Sequence, residues 1–350
     1  MKTAILFAWL VGSYALAMCG HVAAWQAALL AISIGCAMAG IGFSVGHDAN
    51  HSGYARSPAM NRALGFSFDL LGGSSHLWRQ KHNLLHHTWT NIAGHDADLE
   101  AGPLLRFAPW QPRKWFHRYQ HIYVWVLYGL FPLRWYLIDD YAQLLRGKIG
   151  QQPIQPPPRR ELFGLFAGKA VFYSWAFVLP MILHPGWGTV GLWLLCSFAL
   201  GNVMAVVFQL AHCAGEAGFH EPAAEAPLER DWAAHQVETT IDFARHSRAL
   251  SWYLGGLNFQ IEHHLFPRIC HVHYPALAGI VESTCAEHGV RYRAQATFGA
   301  ALAANLRWLR RLGRGEAAPL PEPVASPRRA RSARRHAVAA PEVLEAGRAG

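Results

Sequence analysis

Long apolar runs alternate along this chain with polar segments rich in histidine and arginine. Four runs, at about residues 4–18, 22–45, 162–183 and 189–211, are candidates to cross a bilayer, which takes about 20 apolar residues per helix. Two shorter stretches, 64–71 and 119–138, are apolar and aromatic but interrupted by Gly, Pro or Arg, so they are expected to lie in the interface. The first run ends in Ala15-Leu16-Ala17, similar to a leader-cleavage site, but it is read here as a retained span.

Charge then orients the runs. The links Cys19–His21 and His184–Gly188 carry no Lys or Arg, whereas residues 46–161 and everything after His212 are rich in both. Cytoplasmic loops hold the excess of Lys and Arg, so both termini and both long loops are expected on that side. The fold class that follows is an all-α, multi-pass integral membrane protein. About four transmembrane helices form two hairpins under a cytoplasmic helical cap made of 46–161 and 212–317. Residues 1–317 would form this membrane domain and 318–350, rich in Arg, Ala and Pro, a disordered tail touching anionic lipid. The Pro/Gln-rich stretch Gln151–Pro158 reads as an extended linker.

Composition sharpens this picture. Over the 350 residues, 52% are hydrophobic and only 15% charged, against about a quarter charged in ordinary soluble domains. That excludes a disordered chain and a typical cytosolic enzyme. The net charge of +9 does not signal a nucleic-acid partner, because six arginines sit in the last 33 residues and most other basic residues flank apolar runs. Six scattered cysteines without a Cys-x-x-Cys pair indicate neither a disulfide framework nor a zinc ribbon.

Histidine is the unusual excess, 21 residues against 22 carboxylates. His47 and His51 (HDANH) follow the second run, His82, His86 and His87 (HNLLHH) form a second box, and His263 and His264 (QIEHHLFP) a third. His212 ends the fourth run. Residues four apart share a helix face, so each box can aim two imidazoles at one point. Imidazole suits Zn, Cu, Fe or Ni, so ligand type does not choose the metal. Eight imidazoles exceed one tetrahedral zinc and suit two metals close together, and all eight fall at the same expected side of the membrane. The carboxylates Asp48, Asp96, Asp98 and Glu262 are candidates to orient these histidines from behind.

The three boxes, HDANH, HNLLHHTWTN and GGLNFQIEHHLFP, resemble those of the membrane fatty acid desaturases, with the second about 30 residues after the first. Gln260 in place of the first histidine of box three, and HQVETTIDF from His235, are similar to the front-end (delta-5/delta-6 type) acyl desaturases. The resemblance covers about residues 40–295 and implies a non-haem centre of two Fe ions held by His47, His51, His82, His86, His87, His212, His263 and His264. Gln260 would act through a water or hydrogen bond, and His235 would lie near the site. His271 and His273 read as structural or interfacial. The implied reaction uses O2 and two electrons to place a cis double bond in an acyl chain, releasing water. Acid–base chemistry cannot remove hydrogen from an unactivated methylene, so the cofactor must supply that step.

Implied partners are a fatty acyl substrate (CoA-, carrier-protein- or lipid-bound), O2 and membrane lipid. Many front-end desaturases carry a fused cytochrome b5 domain. Here His184-Pro185-Gly186-Trp187 reads only as a turn, so electrons are expected from a separate ferredoxin or cytochrome b5 with its reductase. Trp78, Trp89, Trp110 and Trp115 read as membrane-belt anchors that could also line the site. Hydroxylation or ketolation at the same kind of centre is an alternative outcome. A metal transporter is disfavoured because the spans hold almost no ionisable residue at mid-depth apart from Lys169.

Overall fold

The computed structural model describes residues 1–100, 102–220 and 231–316; the tail expected over 318–350 lies outside them. Four helices are long and apolar enough to cross a membrane: α1 (Lys2–Cys19), α2 (Ala24–Asn50), α6 (Arg159–Leu183) and α7 (Trp187–His212). Their cores fall on the four runs read from the sequence. The helices overshoot those runs mainly at the ends that bear polar residues, where hydrogen bonding carries on after hydropathy stops.

Both inter-helix links sit at one end of the bundle. At the other end, Lys2 Nζ lies 2.9 Å from His271 Nε2, Glu161 accepts from Arg79 at 3.2 Å, and α2 and α7 finish in histidine-bearing turns. The start of the chain, the loop 51–158 and the segment after His212 therefore share the histidine end. The His184–Trp187 string makes the tight turn expected of it, with Gly186 at φ +135°, a conformation that L side chains rarely adopt.

Close helix packing depends on missing side chains. A Cβ at Gly35 of α2 would sit 2.5 Å from the Cys196 carbonyl oxygen of α7. Around this crossing Ile34, Met38, Phe43, Phe172, Leu200, Val207 and Leu210 form the main apolar core.

Above the bundle, short helices supply the cap: α3 (Pro58–Gly65), α4 (75–89), α8 (Trp232–Thr239), α9 (Gln260–Leu265), α10 (Tyr274–His288) and α11 (Phe298–Arg314). Helix α11 is amphipathic. Ala301, Ala304, Trp308 and Leu312 face inward, while Arg307, Arg310, Arg311 and Arg314 are exposed. Thr297 caps its N-terminus by accepting from Ala300 N at 3.0 Å.

The stretch 119–138, expected in the membrane interface, leaves Ile122, Val126 and Leu130 exposed on one face and packs the other. Helix α5 (Gln120–Arg134) leans against the fourth span, with Gly129 under Phe198 and Gly201 under the Tyr128 carbonyl and Pro132. These small residues let a broken apolar helix sink into the bundle. Of the expected linker Gln151–Pro158, residues 154–158 carry no regular element and residues 152–153 are tied down by pairing. Strand β1 (Lys148–Ile149) pairs antiparallel with β2 (Gln152–Pro153), and Gln152 Nε2 donates to Gly94 O at 3.1 Å. A second small pairing, parallel, joins β3 (Asp242–Phe243) to β4 (Ala294–Gln295) beneath α9.

A candidate metal centre

The eight histidines of the boxes and of α7 are all buried, and they collect at the junction of α2, α4, α7 and α9. Two π-helical turns bring them there. One, Gly42–Gly46, precedes His47; the other, Arg79–His86, contains box two. A π turn inserts one residue into a helix and re-aims its faces, which is why such turns gather at functional sites. Box two serves more than one grouping: His82 and His86 also meet Asp98, one ligand atom of each lying within 4.8 Å of the others. His82 faces His87, five residues on, with their Nε2 atoms 3.2 Å apart, while His86 turns toward His212 and His264.

Two groups of ring nitrogens result, each within 4.8 Å of one another: His47, His51, His82 and His263, and beside it His86, His212 and His264. His87 stands between them with His263 and His264. Adjacent residues of box three thus serve opposite groups, because neighbouring side chains on a helix diverge by about 100°.

The residues behind each ring decide which nitrogen faces the centre. His86 Nδ1 donates to the Asp96 carboxylate at 3.1 Å and His264 Nδ1 to Gln236 Oε1 at 2.8 Å, while His263 Nδ1 lies 3.3 Å from the Tyr274 hydroxyl. In all three rings the opposite nitrogen, Nε2, is buried with no hydrogen-bond partner. His51 Nε2 is equally unpartnered. Leaving so many buried polar atoms unsatisfied is costly. Burial and then the neighbouring histidines hold His51, His82, His87, His263 and His264 well below the usual imidazole pKa, so these rings are neutral, as metal ligands must be. His86 differs. Burial lowers it, but the Asp96 carboxylate outweighs that and the net shift is upward. The donor set fits two first-row metal ions, with oriented neutral imidazoles and free nitrogens converging on each position.

Other candidates from the sequence take different places. Gln260 has its Nε2 3.0 Å from His212 Nε2, so it touches the second group through that ring. Asp48 is 3.9 Å from His47 Nδ1 and instead receives His271 Nδ1 at 2.7 Å and His271 N at 3.2 Å. Asp98 lies 3.7 Å from His86 and pairs closely with Lys81. Glu262 points away from the histidines. It joins Asp242 and Tyr292, whose hydroxyl is 2.9 Å from Glu262 Oε1 and 2.5 Å from Asp242 Oδ2. Burial, reinforced by Asp242, pushes the Glu262 carboxyl up to about 9, so it is protonated at neutral pH. Asp242 also accepts from Ile261 N at 3.0 Å, which seats helix α9. His235 Nε2 lies 2.9 Å from Thr90 O, fixing the end of α4.

Three contributors were not singled out from the sequence: Thr90, Gln236 and Tyr274. Thr90 Oγ1 is 2.9 Å from Gln236 Oε1 and 2.7 Å from His86 O, so it ties both halves of the centre together. The only signal for them was proximity in the chain to a box or to His235. Among the tryptophans, Trp115 is 72% exposed, as a belt residue would be. Trp78 instead stacks on His82 at 4.3 Å between ring centroids. Trp89 packs beside His95 and Trp110 beside Phe219.

Four membrane-length helices crowned at one end by eight buried histidines define a helical membrane protein organised around an imidazole cluster. The fatty acid desaturase family matches residues 23–296, and the chain belongs to that family. It is 38% identical to the sn-1 linoleoyl-lipid 6-desaturase of Arthrospira platensis over 89% of this chain and 85% of the relative. The protein of the same description from Synechocystis sp. is also 38% identical, over 90% of this chain and 88% of its own length. An acyl-lipid (8-3)-desaturase from Physcomitrium patens is 37% identical over 89% of this chain and 66% of its length. The chain is therefore an oxidoreductase of lipid metabolism, and no cytochrome b5 domain is evident in its 350 residues.

Proposed function

We propose that this protein is an O2-dependent acyl-lipid desaturase that places a cis double bond in a fatty acyl chain at a non-haem di-iron centre. The observation that carries the reading is the set of buried, unpartnered ring nitrogens on His51, His86, His263 and His264, three of them aimed by a hydrogen bond on the far side of the ring. His47, His51, His82 and His263 would hold one iron. His86, His212 and His264 would hold the other, with His87 between them and Gln260 acting through His212 or a water. The iron pair supplies the oxidising power that no side chain possesses.

The protein's own part is orientation and exclusion. Asp96 and Gln236 hold the His86 and His264 rings in one tautomer, Tyr274 tethers His263, and the near-zero exposure of His212, His263 and His264 keeps bulk water away. The names of the Arthrospira and Synechocystis relatives support a lipid-linked, already unsaturated substrate. The distribution of Lys and Arg supports a cytoplasmic location for the centre, both chain ends and the cap over 46–161 and 212–317. Two electrons would come from a separate ferredoxin or cytochrome b5 system.

The test is a fatty-acid profile by gas chromatography–mass spectrometry. A host expressing the chain, with His264→Ala as control, is fed defined saturated, mono-unsaturated and di-unsaturated acids. A new double bond that vanishes in the variant is expected. A hydroxylated or keto product would keep the centre and overturn the reaction.

A further inference from the structure

The bundle contains a cavity of about 590 Å³ between all four membrane-length helices, at the end away from the histidines. Its mouth is at Gly20, His21, His184 and Pro185, and its inner end at Met38, Tyr136 and Phe172. Between that inner end and the histidines lie Phe43, Leu200, Val207 and Leu210 of the packed core. Met38 is also nine residues before His47 on α2, which is about 13 Å of helix. The cavity is thus set apart from the metal centre.

Three observations define what it would take. The cavity is open to its surroundings and not sealed, so a guest can enter it from the bilayer. Its walls between mouth and floor are chiefly aliphatic and aromatic, and apolar cavities do not fill with water. Three polar side chains nearer the mouth are already engaged: Tyr14 with Trp175 O, Thr189 with His184 O, and His184 with Met18 O at 2.9 Å.

Depth supplies the identity. From Ala27 to Met38 the cavity follows α2 for eleven residues, about 16 Å. That matches one leaflet, half of a hydrocarbon core about 30 Å thick. Trp25 and Trp187, 65% and 88% exposed, flank the mouth where an aromatic belt would meet the headgroups. We infer that the cavity is a binding site for one fatty acyl tail of a membrane lipid from the leaflet opposite the metal centre, a lipid that is bound and not desaturated there.

One group bears on the chemistry of the guest. The Tyr136 hydroxyl, on a side chain only 2% exposed, has no hydrogen-bond partner. A hydrocarbon tail offers it none, so the inference requires that removing this hydroxyl does not weaken binding.

The test uses the full chain in phosphatidylcholine nanodiscs containing phosphatidylcholine with a diazirine on its acyl chain. After irradiation, labelled positions are mapped by peptide mass spectrometry. Labelling at Ile34, Met38 and Leu192 is expected. In Ala31→Trp, which fills the cavity, that labelling is lost while the outward-facing Leu29 and Leu194 stay labelled. In Tyr136→Phe, cavity labelling is retained or increased. Labelled outer faces with a bare cavity in the unmodified protein would overturn the inference without any variant. Labelling that continues to Phe43 and Phe208 would make the cavity part of the reaction path and overturn it too. Loss of labelling in Tyr136→Phe would indicate a guest with a polar inner end instead of a tail.

Discussion

At the scale of single residues, the centre depends on groups that never need to touch a metal. Gln236 is fully buried and accepts from His264 Nδ1, so it decides that Nε2 faces inward. Gln236→Leu keeps the volume and removes the acceptor. Groups that orient metal ligands are typically worth about 10–100-fold in metal affinity or activity. The iron content of purified protein and the product yield are both expected to fall in that range, with Gln236→Glu recovering part of each. Asp69 offers a separate check away from the histidines. Burial pushes its carboxyl up to about 6, although it accepts from Ser75 N. An acid whose native pKa is raised contributes stability below its unfolded pKa and loses it as pH rises through the native value. The difference in melting temperature between Asp69→Asn and the parent is therefore expected to be small below about pH 4. It should grow in favour of the variant up to about pH 6 and then level off.

At the scale of elements, the sequence showed more about spans than about their company. Hydropathy placed all four spanning helices because lipid exposure demands continuous apolar surface, and the boxes stood out because imidazoles are rare at the ends of such runs. The π turns were not legible. They arise from how α2 and α4 must re-aim His47 and His82 against partners far away in the chain, and no local propensity encodes them. The particular partners of Trp78 and Glu262 were not legible for the same reason. Stacking on His82 and meeting Asp242 at the Tyr292 hydroxyl are tertiary facts. The α2–α7 crossing has a clear expectation of its own. Gly35→Val would drive a side chain onto the Cys196 carbonyl, and overpacking of this kind costs about 1–3 kcal/mol. Thermal unfolding in detergent should report a lower melting temperature, while the order of fatty-acid products stays unchanged.

At the scale of the molecule, the histidines join four separate helices, so their occupancy is a matter of stability as well as chemistry. A ligand that binds only the folded state stabilises it in proportion to the logarithm of its free concentration over Kd. Chelating iron from the purified protein is expected to lower its melting temperature, and adding Fe(II) or Co(II) to restore it. His264→Ala should show a smaller response to either treatment. An unchanged melting temperature through removal and return would argue that the imidazole cluster is held by packing alone.

The contact between Lys2 and His271 spans 269 positions, and the imidazoles themselves run from His47 to His264. The four membrane-length helices are all encoded by residue 212, where only six of the eight imidazoles have been made. Helix α9 and the strap that follows it complete the centre and lock the first turn of α1 in place. A chain truncated between residues 212 and 263 would thus carry all four membrane-length helices but only six of the eight imidazoles. Completion of the imidazole set therefore waits on helix α9, and truncation ahead of it is expected to abolish metal binding while leaving the apolar helices in place.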